Sequence, residues 1–420
     1  VDTTYHVGDH GHQTEFVTSR GHNTMDAGAV RRRNLSAVLD IVHRHGGATR
    51  ADLTRILGLN RSTIGDLVSV LAEHGWVDER DDVPRSGVGR PSPRVAPRDD
   101  RVVAAINPEL DAIEVALVSL GGSIIARRRV PVDSAPSVTD TVALTAQTVS
   151  DLAAEHPGVT VLAAGVAVPG LVRRRDGHVR LAPHLGWREE PLAALLAESL
   201  GVPVAAANDA HLGCRAEQTF GAGVGSRALL YLNGGPSGIG GGLIVDGRPM
   251  DGAAGYAGEI GHLGVDPVGP QCACGARGCL EVLVSREALV STVGLSHPDD
   301  DALELELVAA VAAEPEAGPL HSEVARQLQW LAIALRGAVN LLNPERIVLG
   351  GHLAALWRVA SAAQRASLLT SALPASAADV RIEPAALGSN RLLIGAAELA
   401  WDDLIADPLD SVLRASAPAS

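Results

Sequence analysis

The sequence predicts an α/β protein in two parts, a small winged helix-turn-helix domain over residues 29–98 and two related α/β lobes over residues 99–420. Three observations predict it. Between residues 34 and 77, apolar residues recur at helical spacing and are interrupted by glycines. From residue 101 the spacing changes to that of strands. A similar order of strands, helix and strand then returns in the second half of the chain.

Composition narrows the class. With 420 residues, 46% hydrophobic content and few aromatics, the chain suits two or three domains whose cores are packed from Ala, Val and Leu. No apolar run approaches the ~18–20 residues that span a bilayer, and no signal segment opens the chain. A cytoplasmic protein with reduced thiols and no membrane partner is therefore expected. All 35 basic residues are arginine, which excludes a P-loop lysine and Schiff-base chemistry. Residues 25–100 carry twelve Arg against eleven Asp and Glu, and residues 1–24 carry one against three, so residues 101–420 hold −13 of the net −14. That acidic bulk is no surface for nucleic acid, whereas the near-neutral N-terminal part, opened by Arg31, Arg32 and Arg33, is a candidate.

Residues 1–28 lack either period and read as a disordered tail, with Met25 a candidate start. From Asn34, the residues Leu35, Val38, Leu39 and Val42 share one helical face until Gly46-Gly47. Thr49 reads as the N-cap of a short second helix that turns Leu53, Ile56 and Leu57 inward and ends at Gly58. Asn60 caps a third helix with the buried stripe Ile64, Leu67, Val68 and Leu71, which Gly75 ends. Helix, glycine turn and helix at this spacing form a helix-turn-helix. Its exposed first turn, Arg61, Ser62 and Thr63, offers donors to the phosphates and base edges of a double-stranded DNA operator. Asp66 is an odd neighbour for phosphate unless it accepts from a cytosine amino group. GVGRPSPRVAP then reads as a wing carrying Arg90 and Arg94, with Arg85 just before it, beside the minor groove.

Pro97-Arg98-Asp99-Asp100 reads as a linker. RVVAAIN, AIEVALVSL and SIIARRRVPV are three strands, residues 138–155 a helix, and VTVLAAGVAVPG a crossover strand. RALLYLN, GGGLIVDGR, a helix near residues 321–342 and ERIVLGG repeat that grammar, which suggests two lobes facing across a cleft.

Cys272, Cys274 and Cys279 stand within eight positions of one another, and the only other cysteine is Cys214. His262 precedes them by ten residues. Three thiolates and an imidazole make a closed tetrahedral set with bonds of about 2.0–2.3 Å, as expected for structural Zn2+, whereas a catalytic zinc needs an open position. Gly275 and Gly278 let the loop turn tightly enough for the sulfurs to converge.

EIGH followed by CACGARGCLE, preceded by GIGGGLIVDGRPMDGAAGYAG, resembles the signature of the ROK family of sugar kinases and sugar-responsive repressors. GVAVPG at 165–170, APHLGW at 182–187, ANDA at 207–210 and LNPERIVLGG at 342–351 follow in the family's order, and the likeness runs over nearly the whole chain from about residue 30. The resemblance implies an actin-like, ribonuclease-H-type two-lobed sugar-kinase fold behind the winged helix-turn-helix of the repressor branch. It also implies a sugar site of Asn208, Asp209, Glu259, His262 and Glu281, with a zinc loop over residues 259–281. Asp209 matches the kinase general base. Carboxylates accept from vicinal hydroxyls, and an amide both donates and accepts, so the set suits sugar hydroxyls on independent grounds; the effector expected is a sugar or sugar phosphate. Asn208-Asp209 also reads as a turn with a helix cap.

Departures from the family separate repressor from kinase. ROK kinases hold ATP phosphates on a D-x-G-G-T-type turn, where this chain has Asn107-Pro108-Glu109-Leu110-Asp111. Proline lacks an N–H, the glycines are gone, and two carboxylates oppose phosphate. GGPSGIGGG likewise replaces the second cradle, without its threonine. The expectation is a sugar-responsive DNA-binding repressor without kinase activity, acting as a homodimer or dimer of dimers. The competing expectation is an ATP-dependent sugar kinase with an appended DNA-binding domain.

Overall fold

The computed structural model describes residues 27–80, 93–295, 300–315 and 318–409. α1 (Ala27–His45) starts eight residues before Leu35, the first residue of the apolar stripe, so Ala27 and Gly28, expected in the tail, are helical. Arg31, Arg32 and Arg33 are exposed there; arginine is a good helix former but leaves no apolar period to read. α2 (Arg50–Leu57) is capped by Thr49, whose Oγ1 accepts from the Asp52 N–H at 3.1 Å, and Gly58 closes it at φ 66°. α3 (Arg61–Glu73) is capped by Asn60, whose Oδ1 accepts from the Thr63 N–H at 2.8 Å. Ile56, expected inward, is 47% exposed: Leu53 and Leu57 sit four apart on the packed face, and Ile56 falls past its edge. β1 (Ala48–Thr49), β2 (Val77–Arg80) and β3 (Arg94–Pro97) form an antiparallel sheet ordered β1-β3-β2. Of the stretch expected to form the wing, β3 is a strand, and its partner β2 lies before that stretch, where no strand was expected; residues 87–92 of the wing, Arg90 among them, and Arg85 lie outside the described residues.

The lobes share one topology. In the first, β4 (Arg101–Pro108), β5 (Ala112–Ser119) and β6 (Ile124–Pro131) form an antiparallel meander. α4 (Val138–Glu155) leads to β7 (Thr160–Val168), which lies parallel to β4. A small sheet of β8 (Leu171–Arg173), β9 (His178–Ala182) and β10 (Trp187–Glu190) precedes α5 (Leu192–Leu200) and β11 (Val204–Asn208), which lies parallel to β7. The order is β11-β7-β4-β5-β6. α6 (Asp209–Phe220) then crosses to the second lobe. There β12 (Leu229–Gly235), β13 (Gly238–Val245) and β14 (Arg248–Pro249) repeat the meander, followed by α7 (Leu280–Leu283), α8 (Arg286–Val293), α9 (Asp300–Ala313) and α10 (Pro319–Leu342). β15 (Arg346–Gly351) is parallel to β12. Helices α11 (His352–Val359), α12 (Ala362–Ser367) and α13 (Pro374–Ala377) lead to β16 (Arg381–Pro384), parallel to β15, which gives the order β14-β13-β12-β15-β16. Among the described residues no helix is long and apolar enough to cross a membrane.

α14 (Arg391–Ala406) closes the architecture by returning from the second lobe to the first. Twelve of its sixteen residues are buried, because it packs against α6, β4 and β7 on one side and the winged helix on the other. A Cβ at Gly165 would strike the backbone of Ala396, and one at Gly395 that of Leu212, so both glycines set how closely α14 seats. One hydrophobic core therefore runs from Leu35, Ile64 and Trp76 through Val103 and Ala116 to Leu393, Trp401 and Leu404. The stretch read as a linker is correspondingly fixed: Arg98 pairs with Asp78 and Asp100, and the Arg98 N–H donates to the Trp76 carbonyl. A tetrapeptide between two patterns looks like a linker, but it carries no record of a surface shared at long range.

Candidate functional site

A cleft of about 410 Å³ lies between the lobes, where the end of β4, the β11–α6 junction and the β12–β13 turn meet. Asn208, Asp209, Glu259, His262 and Glu281 all line it. Asn208 ends β11 and caps α6: its Oδ1 accepts from the His211 N–H at 3.1 Å, and its Nδ2 donates to the Gly170 carbonyl at 3.0 Å. The helix-cap reading of Asn208 therefore holds, and its amide retains one donor and one lone pair beside the cleft. Asp209 stands in the first turn of α6, where burial pushes its carboxyl up to about 6 despite the neighbouring N–H groups and Arg391. Burial also raises Glu259, against the pull of His262 and His211.

Glu281 and His262 join the cleft to the cysteine loop. The His262 Nδ1 lies 3.7 Å from the Cys272 Sγ and 3.3 Å from the Glu281 Oε1, while its Nε2 faces Glu259 at 4.0 Å. One imidazole thus presents one nitrogen to the thiols and the other to the cleft. The ligand atoms of His262, Cys272, Cys274 and Cys279 all lie within 4.8 Å of one another, and Cys274 and Cys279 are 3.6 Å apart, sulfur to sulfur. Tetrahedral bonds of about 2.0–2.3 Å demand ligand separations of roughly 3.3–3.8 Å, so this set fits a metal ion with little adjustment. The loop is preformed by bridges Gly264–Cys279 and Gln271–Arg277. Gly275 and Gly278 have φ of 93° and 64°, and a Cβ at Gly278 would strike the Asp266 carbonyl. The Cys272 thiol donates to the Glu281 Oε1 at 3.0 Å, a bond that belongs to the protonated sulfur alone.

The sequence motifs do not single out Arg391, Asp300 and Asn233, which also line the cleft. Arg391, 4% exposed at the start of α14, donates from Nη2 to the Asp300 Oδ2 at 2.6 Å, from Nε to the Asn233 Oδ1 at 2.8 Å and from Nη1 to the Gly388 carbonyl at 2.9 Å. An arginine opening an apolar helix looks like a solvated end; only the fold brings Asp300 and Asn233 to it. Asn233 had a weak signal as the polar end of the strand RALLYLN.

Both turns that would face a phosphoryl donor are occupied differently. β4 and β5 meet in a hairpin at Pro108–Ile113, where the Glu109 N–H donates to the Ala112 carbonyl at 2.8 Å. The Glu109 side chain accepts from Asn107 and is pushed to about 7 by burial and by Glu114 and Asp300. The β12–β13 turn is Pro236-Ser237 between paired Gly235 and Gly238. Pro108 and Pro236 have no N–H and that of Glu109 is engaged within its hairpin, so each turn lacks a donor that a phosphate cradle would use.

The winged helix presents Arg61 and Ser62 exposed at the start of α3, with the Ser62 hydroxyl held on Asn60 at 2.7 Å. Thr63 is half-buried and lines a shallow groove with Arg31, Asn34 and Asp66.

Comparison with known proteins agrees with this architecture. Residues 104–403 match the ROK family profile. The chain belongs to the ROK family. Residues 36–85 match the MarR family, which covers α2, α3 and β2 of the winged helix. A xylose repressor of Caldicellulosiruptor bescii is 25% identical over 374 residues, 86% of this ROK chain and 93% of the relative. A span that long must take in α3. A glucokinase of Halalkalibacterium halodurans is 29% identical over 315 residues, 70% of this chain and 94% of the relative. Among solved structures, a ROK family transcriptional regulator described as a homologue of the Escherichia coli MLC protein aligns with a TM-score of 0.70. Its 23% identity, covering 92% of this chain and 99% of that one, makes the likeness one of fold.

Proposed function

We propose that this ROK protein is a transcriptional repressor whose hold on a double-stranded DNA operator is set by a sugar in the cleft, and that it carries a structural zinc and transfers no phosphoryl group. The observation that carries the reading is α14. Its first residues, Arg391 and Leu392, line the cleft, while Glu398, Trp401 and Leu404 lie in the core shared with the winged helix. Whatever changes the lobes' separation acts on one helix that touches both domains. Sugar hydroxyls would be held by Asn208 and Asp209 on the first lobe and by Glu259, His262 and Glu281 on the second, which favours the closed cleft. Arg61, Ser62 and Thr63 would meet the operator. A single helix-turn-helix reads too few bases for specificity, so the active species is a homodimer or dimer of dimers with half-sites about 34–36 Å apart or a multiple of that.

Zinc would be held by His262, Cys272, Cys274 and Cys279 and would supply rigidity rather than chemistry, since all four positions come from protein. Its thiolate ligands have no proton to donate, so the Cys272 bond to Glu281 is given up and that carboxylate serves the cleft.

Asp209 favours the second reading, a sugar kinase, because a carboxyl at about 6 suits a general base. The donor side opposes it, with Pro108, Glu109 and Pro236 where phosphate would sit. A coupled assay with Mg-ATP and xylose, glucose and N-acetylglucosamine is expected to give no sugar-dependent ADP. Turnover that disappears in Asp209→Asn would establish the kinase instead.

A further inference from the structure

The cleft's charge says more about its ligand than its hydroxyl-binding groups do. Five carboxylates line it, those of Glu109, Asp209, Glu259, Glu281 and Asp300, against the guanidinium of Arg391 and the imidazoles of His184 and His262. Arg391 is already engaged by Asp300, Asn233 and the Gly388 carbonyl. The adjoining chamber of about 650 Å³, which shares Glu109, Asp300 and Arg391 with the cleft, offers an anion no better reception. Its further arginines each face an acid: Arg127 bonds Glu114 and Arg129 bonds Asp111, both at 2.8 Å, and Arg286 lies 3.7 Å from Asp300. The two turns at the cleft lose backbone donors at three positions. Pro108 and Pro236 have none, and the Glu109 N–H is committed to Ala112.

We infer that the cleft takes an uncharged polyhydroxyl ligand, a free sugar, and rejects its phosphorylated or carboxylated forms, with Asp300 as the residue that withholds Arg391 from an anion. The inference rests on the sugar-site reading above and narrows it. A phosphate dianion would enter a space whose lining already brings Glu109, Asp209, Glu259, Glu281 and Asp300 together. Water is partly excluded there, so the repulsion is only weakly screened. A neutral sugar meets the same carboxylates as hydrogen-bond acceptors and loses nothing. Discrimination thus comes from a repulsive arrangement and from a cation held by its own partner, not from a shape that a sugar phosphate fails to fit.

The test is calorimetric titration of the full-length, metal-loaded protein with xylose, glucose and N-acetylglucosamine, and in parallel with glucose 6-phosphate, N-acetylglucosamine 6-phosphate and glucuronate. At least one neutral sugar is expected to bind, with the charged form of the same skeleton weaker by about 100-fold or more, as two or three close like charges would give. Asp300→Asn is expected to narrow that gap about tenfold by freeing Arg391; the wild-type comparison stands without it. A charged sugar that binds as tightly as its neutral parent overturns the inference and leaves the sugar site intact. If no member of either set binds, the sugar site itself is wrong and the inference falls with it.

Discussion

Trp401→Ala lowers the stability of the whole chain by ~3–5 kcal/mol, the usual cost of emptying a large aromatic site, and weakens the influence of sugar on the winged helix. The expectation follows from where Trp401 sits. Its ring is fully buried and meets Trp76 edge-on at 6.4 Å between centroids, and the Trp76 Nε1–H donates to the Pro408 carbonyl at 2.8 Å. Beside this pair, His43 of α1 is fixed on both nitrogens. The Gly121 N–H donates to its Nδ1 at 2.9 Å, so its Nε2 carries the proton and donates to the Glu398 Oε1 at 2.7 Å. Burial alone would raise the Glu398 carboxyl, but His43 and Arg215 hold it below its ordinary range. Removing His43 would leave a buried carboxylate short of a partner, a change of comparable cost. Urea unfolding followed by tryptophan fluorescence gives the answer. A midpoint equal to that of the wild type would mean that the domains fold without sharing a core.

Cys279→Ser is expected to strip the metal and the sugar response together. Cys279 is fully buried and lies against Cys274 at 3.6 Å, and it immediately precedes α7, which carries Glu281. Changes in the outer shell of a metal site cost roughly 10–100-fold in affinity, and loss of a ligand costs more. Because the binding energy of a structural metal is folding energy, the loop over residues 259–281 loosens and Glu259, His262 and Glu281 lose their common orientation. Metal analysis of gently purified protein should find near one zinc per wild-type chain and far less in the variant. Wild-type protein that holds no metal while binding sugar normally would remove zinc from the account.

The winged helix and the cysteine loop were legible because their signals are local, whereas the sugar set came from the family resemblance. Thr49, Asn60 and Gly58 act within four residues of their own positions, so cap and turn could be read directly. The cysteine loop declares itself through spacing and its two glycines. The duplication of the lobes was visible as recurring strand grammar, and the sheets repeat it strand for strand. What escaped depends on distance along the chain. Arg391 meets Asn233 and Asp300 across 158 and 91 positions, and His43 meets Glu398 across 355. RLLIGAAELAW is apolar on all sides, which implies a buried helix and names neither of its partners. The start of α1 escaped for the opposite reason, because an exposed arginine turn has no period to detect.

Sugar in the cleft is expected to change the grip of α3 on DNA, and fluorescence anisotropy of a labelled upstream fragment with and without saturating sugar measures it directly. Saturation is checked in parallel by calorimetry. Arg61→Ala should weaken DNA binding without altering sugar affinity, and Glu281→Ala should abolish the sugar response while leaving DNA binding intact. Coupling between sites of this kind is typically ~1–3 kcal/mol, so a wild-type shift of about 5–150-fold in operator affinity is predicted. An operator affinity that stays the same when the cleft is demonstrably filled would contradict the account.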